Sequence, residues 1–112
     1  MSNISDASIK TRLHRLGMTA NYNGFRYIIQ AVSLCLDDES KLRLITKCIY
    51  PEIAKANNTS DRCVERSIRT IIQKTWDENQ QEFRELAGYN IKRKPTNAEF
   101  ISMLLLHESQ KQ

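Results

Sequence analysis

The stretch from Asp61 to Trp76 holds neither glycine nor proline, and its apolar residues return at helical intervals. With successive residues about 100° apart around an axis, Val64, Ile68, Ile71 and Thr75 share one arc, with Ile72 at its edge. Such an arc must be covered by the rest of the chain. Arg62, Glu65, Arg66, Arg69 and Gln73 fall together on a separate arc about 100° wide. A rod with one apolar and one cationic stripe commits the chain to packing helix against helix, and leaves the cationic side to water or to a ligand. Trp76 drifts out of the apolar stripe and is expected to pack against whatever covers the helix end.

The neighbouring punctuation extends the helical reading. Pro51 ends a run from Ser40 to Tyr50 (Leu42, Leu44, Ile45, Cys48, Ile49) and opens the next helix without losing a hydrogen bond, because the first amides of a helix have no internal partner. That short helix, Pro51 to Ala56, stops at Asn57-Asn58, residues that tolerate the left-handed conformation of a tight turn. Thr59 or Ser60 then caps the long rod. Upstream, Ser5 or Asp6 can cap a first helix with Ile9, Leu13 and Leu16 on its apolar side and Gly17 as its stop. After a turn at Asn21 to Gly24, a second helix from about Phe25 to Leu36 buries Tyr27, Ile28, Ala31, Val32, Cys35 and Leu36 as a central post. Asp37 to Glu39 break the chain beyond it. Downstream, Asp77 to Ala87 is an acidic, Gln-rich helical piece ended by Gly88, and Tyr89 to Lys94 is a basic strand-like or loop connection. Thr96 and Glu99 have capping-box spacing at the start of a last helix that buries Phe100, Met103, Leu104 and Leu106. The expectation is one domain over residues 1–112, an all-α compact bundle of about six helices containing a helix-turn-helix, with residues 1–4 and 108–112 mobile. The whole chain has only three glycines and two prolines.

Composition narrows the function. Cys35, Cys48 and Cys63 are far apart and lack the paired spacing of zinc ligands or a redox dithiol, and His14 and His107 have no partner at ligand spacing. No metal and no cofactor are therefore expected. The apolar run Met103 to Leu106 is too short to cross a bilayer, and no signal peptide opens the sequence. A glycine-rich phosphate loop and a nucleophile beside a plausible base are both missing, so the chain reads as a non-enzyme. Net charge is +4. Between Lys41 and Lys74 eight basic residues (Lys41, Arg43, Lys47, Lys55, Arg62, Arg66, Arg69, Lys74) meet three acids (Glu52, Asp61, Glu65), a local charge of +5. A basic patch of this kind suits a polyanion, although a solvated helix face also produces one. Tyr22, Phe25 and Tyr27 resemble a base-stacking surface, yet their spacing suits the core of the second helix.

A short helix, a tight turn and a longer helix with an Arg-rich outer face form the pattern of a DNA-reading helix-turn-helix. Ala54 is small where the helices cross, and Val64 and Ile68 anchor the second helix so that its first turns protrude. In a major groove, Arg bonds guanine O6 and N7, and Glu accepts from the amino group of cytosine. Ser60, Arg62, Glu65, Arg66, Arg69 and Gln73 are the candidate contacts on this element. Glu65 and Arg66 could equally be a surface pair, and Cys63 either a reactive thiol or a quiet small residue.

Four segments carry a resemblance: Ile45-Thr46-Lys47, Tyr50 to Lys55, Val64 to Arg69, and Lys94 to Ile101. In this order and separation, and with Trp76 and Gly88-Tyr89, the chain from about residue 8 to 105 resembles the C-terminal DNA-binding domain of the master response regulator of sporulation. The resemblance implies a six-helix bundle whose recognition helix enters the major groove of double-stranded DNA. It implies that Glu65 and Arg66 stand at base-reading positions, that Arg69 lies near bases or phosphate, and that Lys92, Arg93 and Lys94 are further basic contacts. It also implies that Asp77 to Ala87 touches the sigma subunit of RNA polymerase, that copies associate on tandem sites, and that the protein works in the bacterial cytoplasm, at the nucleoid when bound. Three departures stand out. Cys63 occupies a place where the family usually has Arg, the link from Gly88 to Lys94 looks short, and these 112 residues include no phosphorylatable receiver domain, as expected of either an isolated effector fragment or a free-standing protein. They keep open an alternative, a helical interaction module that acts on a related regulator or on polymerase without reading DNA.

Overall fold

A computed structural model describes residues 2–110, with side chains described from 6 to 108. The expected mobile ends, 1–4 and 108–112, fall almost entirely outside the described side chains. Among the described residues there are six α-helices: α1 (Ser2–Leu16), α2 (Asn23–Asp37), α3 (Tyr50–Ala56), α4 (Asp61–Glu78), α5 (Gln80–Ala87) and α6 (Asn97–Gln110). No strand occurs among the described residues.

Local chemistry sets most helix ends. α1 stops at Gly17, whose φ of +99° is a backbone conformation that side chains with a Cβ resist. There the Met18 amide donates to Leu13 O at 3.0 Å, the reach-back bond of a left-handed helix stop. α3 ends in the same way on an asparagine. Asn58 has φ +54°, and the Thr59 amide donates to Ala54 O at 2.9 Å. Ser60 Oγ then accepts from the Cys63 amide at 3.1 Å and starts α4. At α6 the capping box is reciprocal: Thr96 N donates to Glu99 Oε1 at 2.9 Å, and Glu99 N donates to Thr96 Oγ1 at 3.1 Å.

Other expectations are corrected. α1 begins at Ser2, upstream of both Ser5 and Asp6. The span 40–50 is not one α-helix. Glu39–Leu44 is a 3-10 stretch and Ile45–Ile49 a π-helical turn that runs into α3, with Pro51 in its first turn. Only Ile49 of that irregular span is buried, and Leu44 is exposed. Asp38 caps its start, accepting from the Ser40 amide and hydroxyl, and those bonds hold its carboxyl below the usual range. The acidic piece belongs partly to α4, which continues to Glu78 before Asn79 breaks it from α5. Leu106 is exposed rather than buried.

α2 is the post on which the bundle closes, with Ile28, Ala31, Val32 and Cys35 fully buried. Burial pushes the Cys35 thiol up to about 11, so it packs as an apolar side chain. At the far end of α4, Trp76 meets Phe83 of α5 edge-on (5.6 Å between centroids), and Phe83 meets Phe100 of α6 (5.5 Å). The helix end is therefore covered by α5 and α6, as the drift of Trp76 out of the stripe implied.

Candidate nucleic-acid interface

The outer face of α4 is displayed by what lies beneath it. Val64 and Ile68 are wholly buried, and each apolar side chain of this size contributes roughly 1.5–3 kcal/mol when removed from water. Ala54 of α3, 4% exposed, is small enough for α3 and α4 to cross closely. Gly24 does the same for α2. A Cβ there would stand 2.4 Å from Ser67 O and 2.9 Å from Ile71 Cγ2, so the first turn of α2 lies directly on the α4 backbone. In the sequence Gly24 reads only as part of a turn.

A second brace comes from α6. The buried Asn97 amide donates to the Tyr50 hydroxyl at 3.0 Å and to the Glu65 carbonyl at 3.1 Å, tying the starts of α6 and α3 to the face-bearing segment of α4. Burial raises the Tyr50 phenol above its ordinary value, with the Asn97 bond opposing. Asn97 was visible in the sequence only as part of a motif. No periodicity links it to partners 32 and 47 residues away.

On this frame the candidate residues differ. Arg62 and Arg66 are exposed, and among the described residues neither enters an ion pair. Glu65 and Arg69 pair one turn apart: Arg69 Nε donates to Oε2 at 3.0 Å and Nη2 to Oε1 at 3.3 Å. An exposed pair of this kind is weakly held. Ser60 is exposed and already serves as the cap of α4. Gln73 donates to Asp77 Oδ1 at 2.9 Å and accepts from Lys94 Nζ at 2.8 Å.

The segment between α5 and α6 thus reaches α4 through Lys94. Lys92 is exposed. Arg93 forms a two-pronged pair with Glu99, Nη1 to Oε1 at 3.0 Å and Nη2 to Oε2 at 2.9 Å, and also donates to the Lys94 carbonyl at 3.1 Å. Those guanidinium bonds, with the Thr96 amide, hold the Glu99 carboxyl down at about 2. The structure therefore brings Ser60, Arg62, Arg66, Arg69, Gln73 and Lys94 to one helix and its border, and commits Arg93 to a carboxylate.

Elsewhere, an open cavity of about 930 Å³ lies between α5, the 88–96 segment and α6, where Tyr89 and Leu106 are exposed. Among the described residues no cluster of ligating side chains could hold a metal ion, and no helix is long and apolar enough to cross a membrane. Set against known families, residues 9–107 match the one described as "Sporulation initiation factor Spo0A C terminal".

Proposed function

The chain belongs to the family of the sporulation initiation factor Spo0A C-terminal domain, a DNA-binding domain of transcription regulation, and from that membership we propose that it reads duplex DNA sequence-specifically, with the stretch 60–76 in the major groove. The carrying observation is the condition of Arg62 and Arg66. Both are exposed and outside any ion pair among the described residues, on a helix seated by Val64 and Ile68. A guanidinium in that condition can bond both acceptor atoms of a guanine edge without first breaking an internal pair.

Each remaining residue takes a role that its surroundings suit. Glu65 accepts from a cytosine amino group once Arg69 turns to a base or a phosphate. Ser60 keeps its hydroxyl hydrogen for a phosphate oxygen, since its cap uses only the oxygen as acceptor. Lys92 and Lys94 supply charge to the phosphate backbone, while Gln73 aims Lys94. Arg93 holds the approach to α6 in shape.

One reading helix covers few base pairs against on the order of a million competing genomic sites, so two copies act together on adjacent half-sites. The acidic surface at the end of α4 and on α5 is the face offered to the sigma subunit of RNA polymerase, a role resting on the family resemblance. The protein regulates transcription at the bacterial nucleoid and catalyses no reaction.

Selection from a pool of random duplexes tests the reading. The chain should enrich one motif, with contacts that vanish base by base in Arg62→Ala and Arg66→Ala. Enrichment of nothing overturns it in favour of the interaction module.

A further inference from the structure

A helix lying in a major groove runs between two walls of phosphates, one on each strand. On α4, the wall on the Glu65 side faces the start of α6, where Asn97 bonds to the Glu65 carbonyl and Lys94 reaches over to Gln73. Ser67 lies about 160° around the helix from Glu65, and the element against it is the first turn of α2, brought flush by Gly24. The second flank thus belongs to α2.

Arg26, about 160° around α2 from Gly24, is exposed and points to the turn that feeds α4. Its Nε donates to Asn57 Oδ1 at 3.1 Å, its Nη2 donates to Asn23 Oδ1 at 3.5 Å, and the guanidinium carbon lies 5.5 Å from the centroid of the Tyr27 ring. Asn57, in the turn that feeds α4, is itself fixed, its amide donating to Gln30 Oε1 and to Ile53 O, both at 2.7 Å. These partners of Arg26 are neutral amides. They orient the guanidinium without cancelling its charge, whereas Arg69 and Arg93 both face carboxylates.

We propose that Arg26 is a phosphate-binding residue, engaging a backbone phosphodiester of the strand opposite the one served by Lys94. The proposal rests on the DNA-reading function above. A guanidinium already aimed loses less freedom on binding than a free one, and the tie to Asn57 sets its position relative to the first turn of α4. The contact carries no base information, because every phosphate is alike.

The test uses the full chain, the duplex enriched in the selection and a random duplex of equal length, with dissociation constants measured over a fourfold range of salt. One phosphate contact contributes about 0.9 to the slope of log affinity against log salt, so that range should cost the wild type about 3.5-fold more than it costs Arg26→Ala. The loss should be equal on both duplexes, and Arg26→Lys, which keeps a cation, should restore most of the slope. Thermal melting of each variant confirms that the exposed substitution leaves the fold intact. Unchanged slopes in Arg26→Ala, or a loss confined to the enriched duplex, overturn the proposal while the DNA-reading function stands. A wild-type chain that binds neither duplex overturns both.

Discussion

The first turns of α4 and the segment just before α6 both carry arginine, yet the molecule treats those guanidinium groups in opposite ways. Arg62 and Arg66 are left in water, on a helix fixed from below by Val64 and Ile68 and from the sides by Gly24 and Asn97. Arg93 is pinned by both oxygens of Glu99, and Lys94 by Gln73. The difference separates two jobs that charge can do. A guanidinium with no internal partner, on a rigid support, keeps its full donor set for a base edge; one already paired shapes the backbone around it. Arg-rich composition alone does not distinguish the two, because only the neighbours decide.

The comparison breaks first if the support is removed. Ile68→Ala leaves a hole under the reading face and should cost about 2–5 kcal/mol in chemical unfolding. If stability stays within about 1 kcal/mol of wild type, α4 is not seated as described. Next comes Arg66→Ala, expected to cost about 1–3 kcal/mol on the enriched duplex, to relax preference at one base pair and to change random-duplex binding little. Lys94→Ala should behave differently, weakening enriched and random duplexes alike and flattening the salt slope by about one unit. Identical behaviour of these two variants on both duplexes would erase the distinction between the regions.

Much of this arrangement was legible because it is local. The Ser60 cap, the Thr96–Glu99 box, the left-handed stop at Asn58 and the burial of Val64, Ile68, Ile71 and Ile72 all depend on residues within a turn or two of one another. Where distant parts decide, the sequence was silent or misleading. Residues 40–50 have helical apolar spacing, yet the chain there winds as a 3-10 stretch and a π-turn, and Leu44 comes out into water. Leu106 is apolar but stands about 120° around α6 from Phe100, off the arc that buries Phe100, Ile101, Leu104 and Leu105, and it lies at the open cavity beside α5, where no described element covers it. Gly24 and Asn97 set the two flanks of the reading helix through contacts across 43 and 32 residues, and neither residue type announces such a role. The cations themselves were visible. Which of them were already engaged was not, because a Glu six residues from Arg93 is at no special helical distance across a loop.

The smallest expected effect bears on that pairing. Glu99 ordinarily titrates near 4.5 and is held at about 2, first by Arg93 and next by the Thr96 amide. A carboxyl lowered on folding adds stability that is complete above its ordinary value and fades as pH falls through its folded value, so this contribution disappears between about pH 4.5 and 2. Both side chains are largely exposed, so screening by water keeps the change in overall stability slight, and the titration itself is the better readout. In Arg93→Ala, NMR titration of the Glu99 carboxyl should move upward toward 4.5 without reaching it, because the Thr96 amide still donates. Its loss of DNA affinity should be smaller than that of Lys94→Ala. An unmoved Glu99, together with a salt slope flattened as much as in Lys94→Ala, would put Arg93 with Lys94 among the cations that contact phosphate and remove the contrast with Arg62 and Arg66.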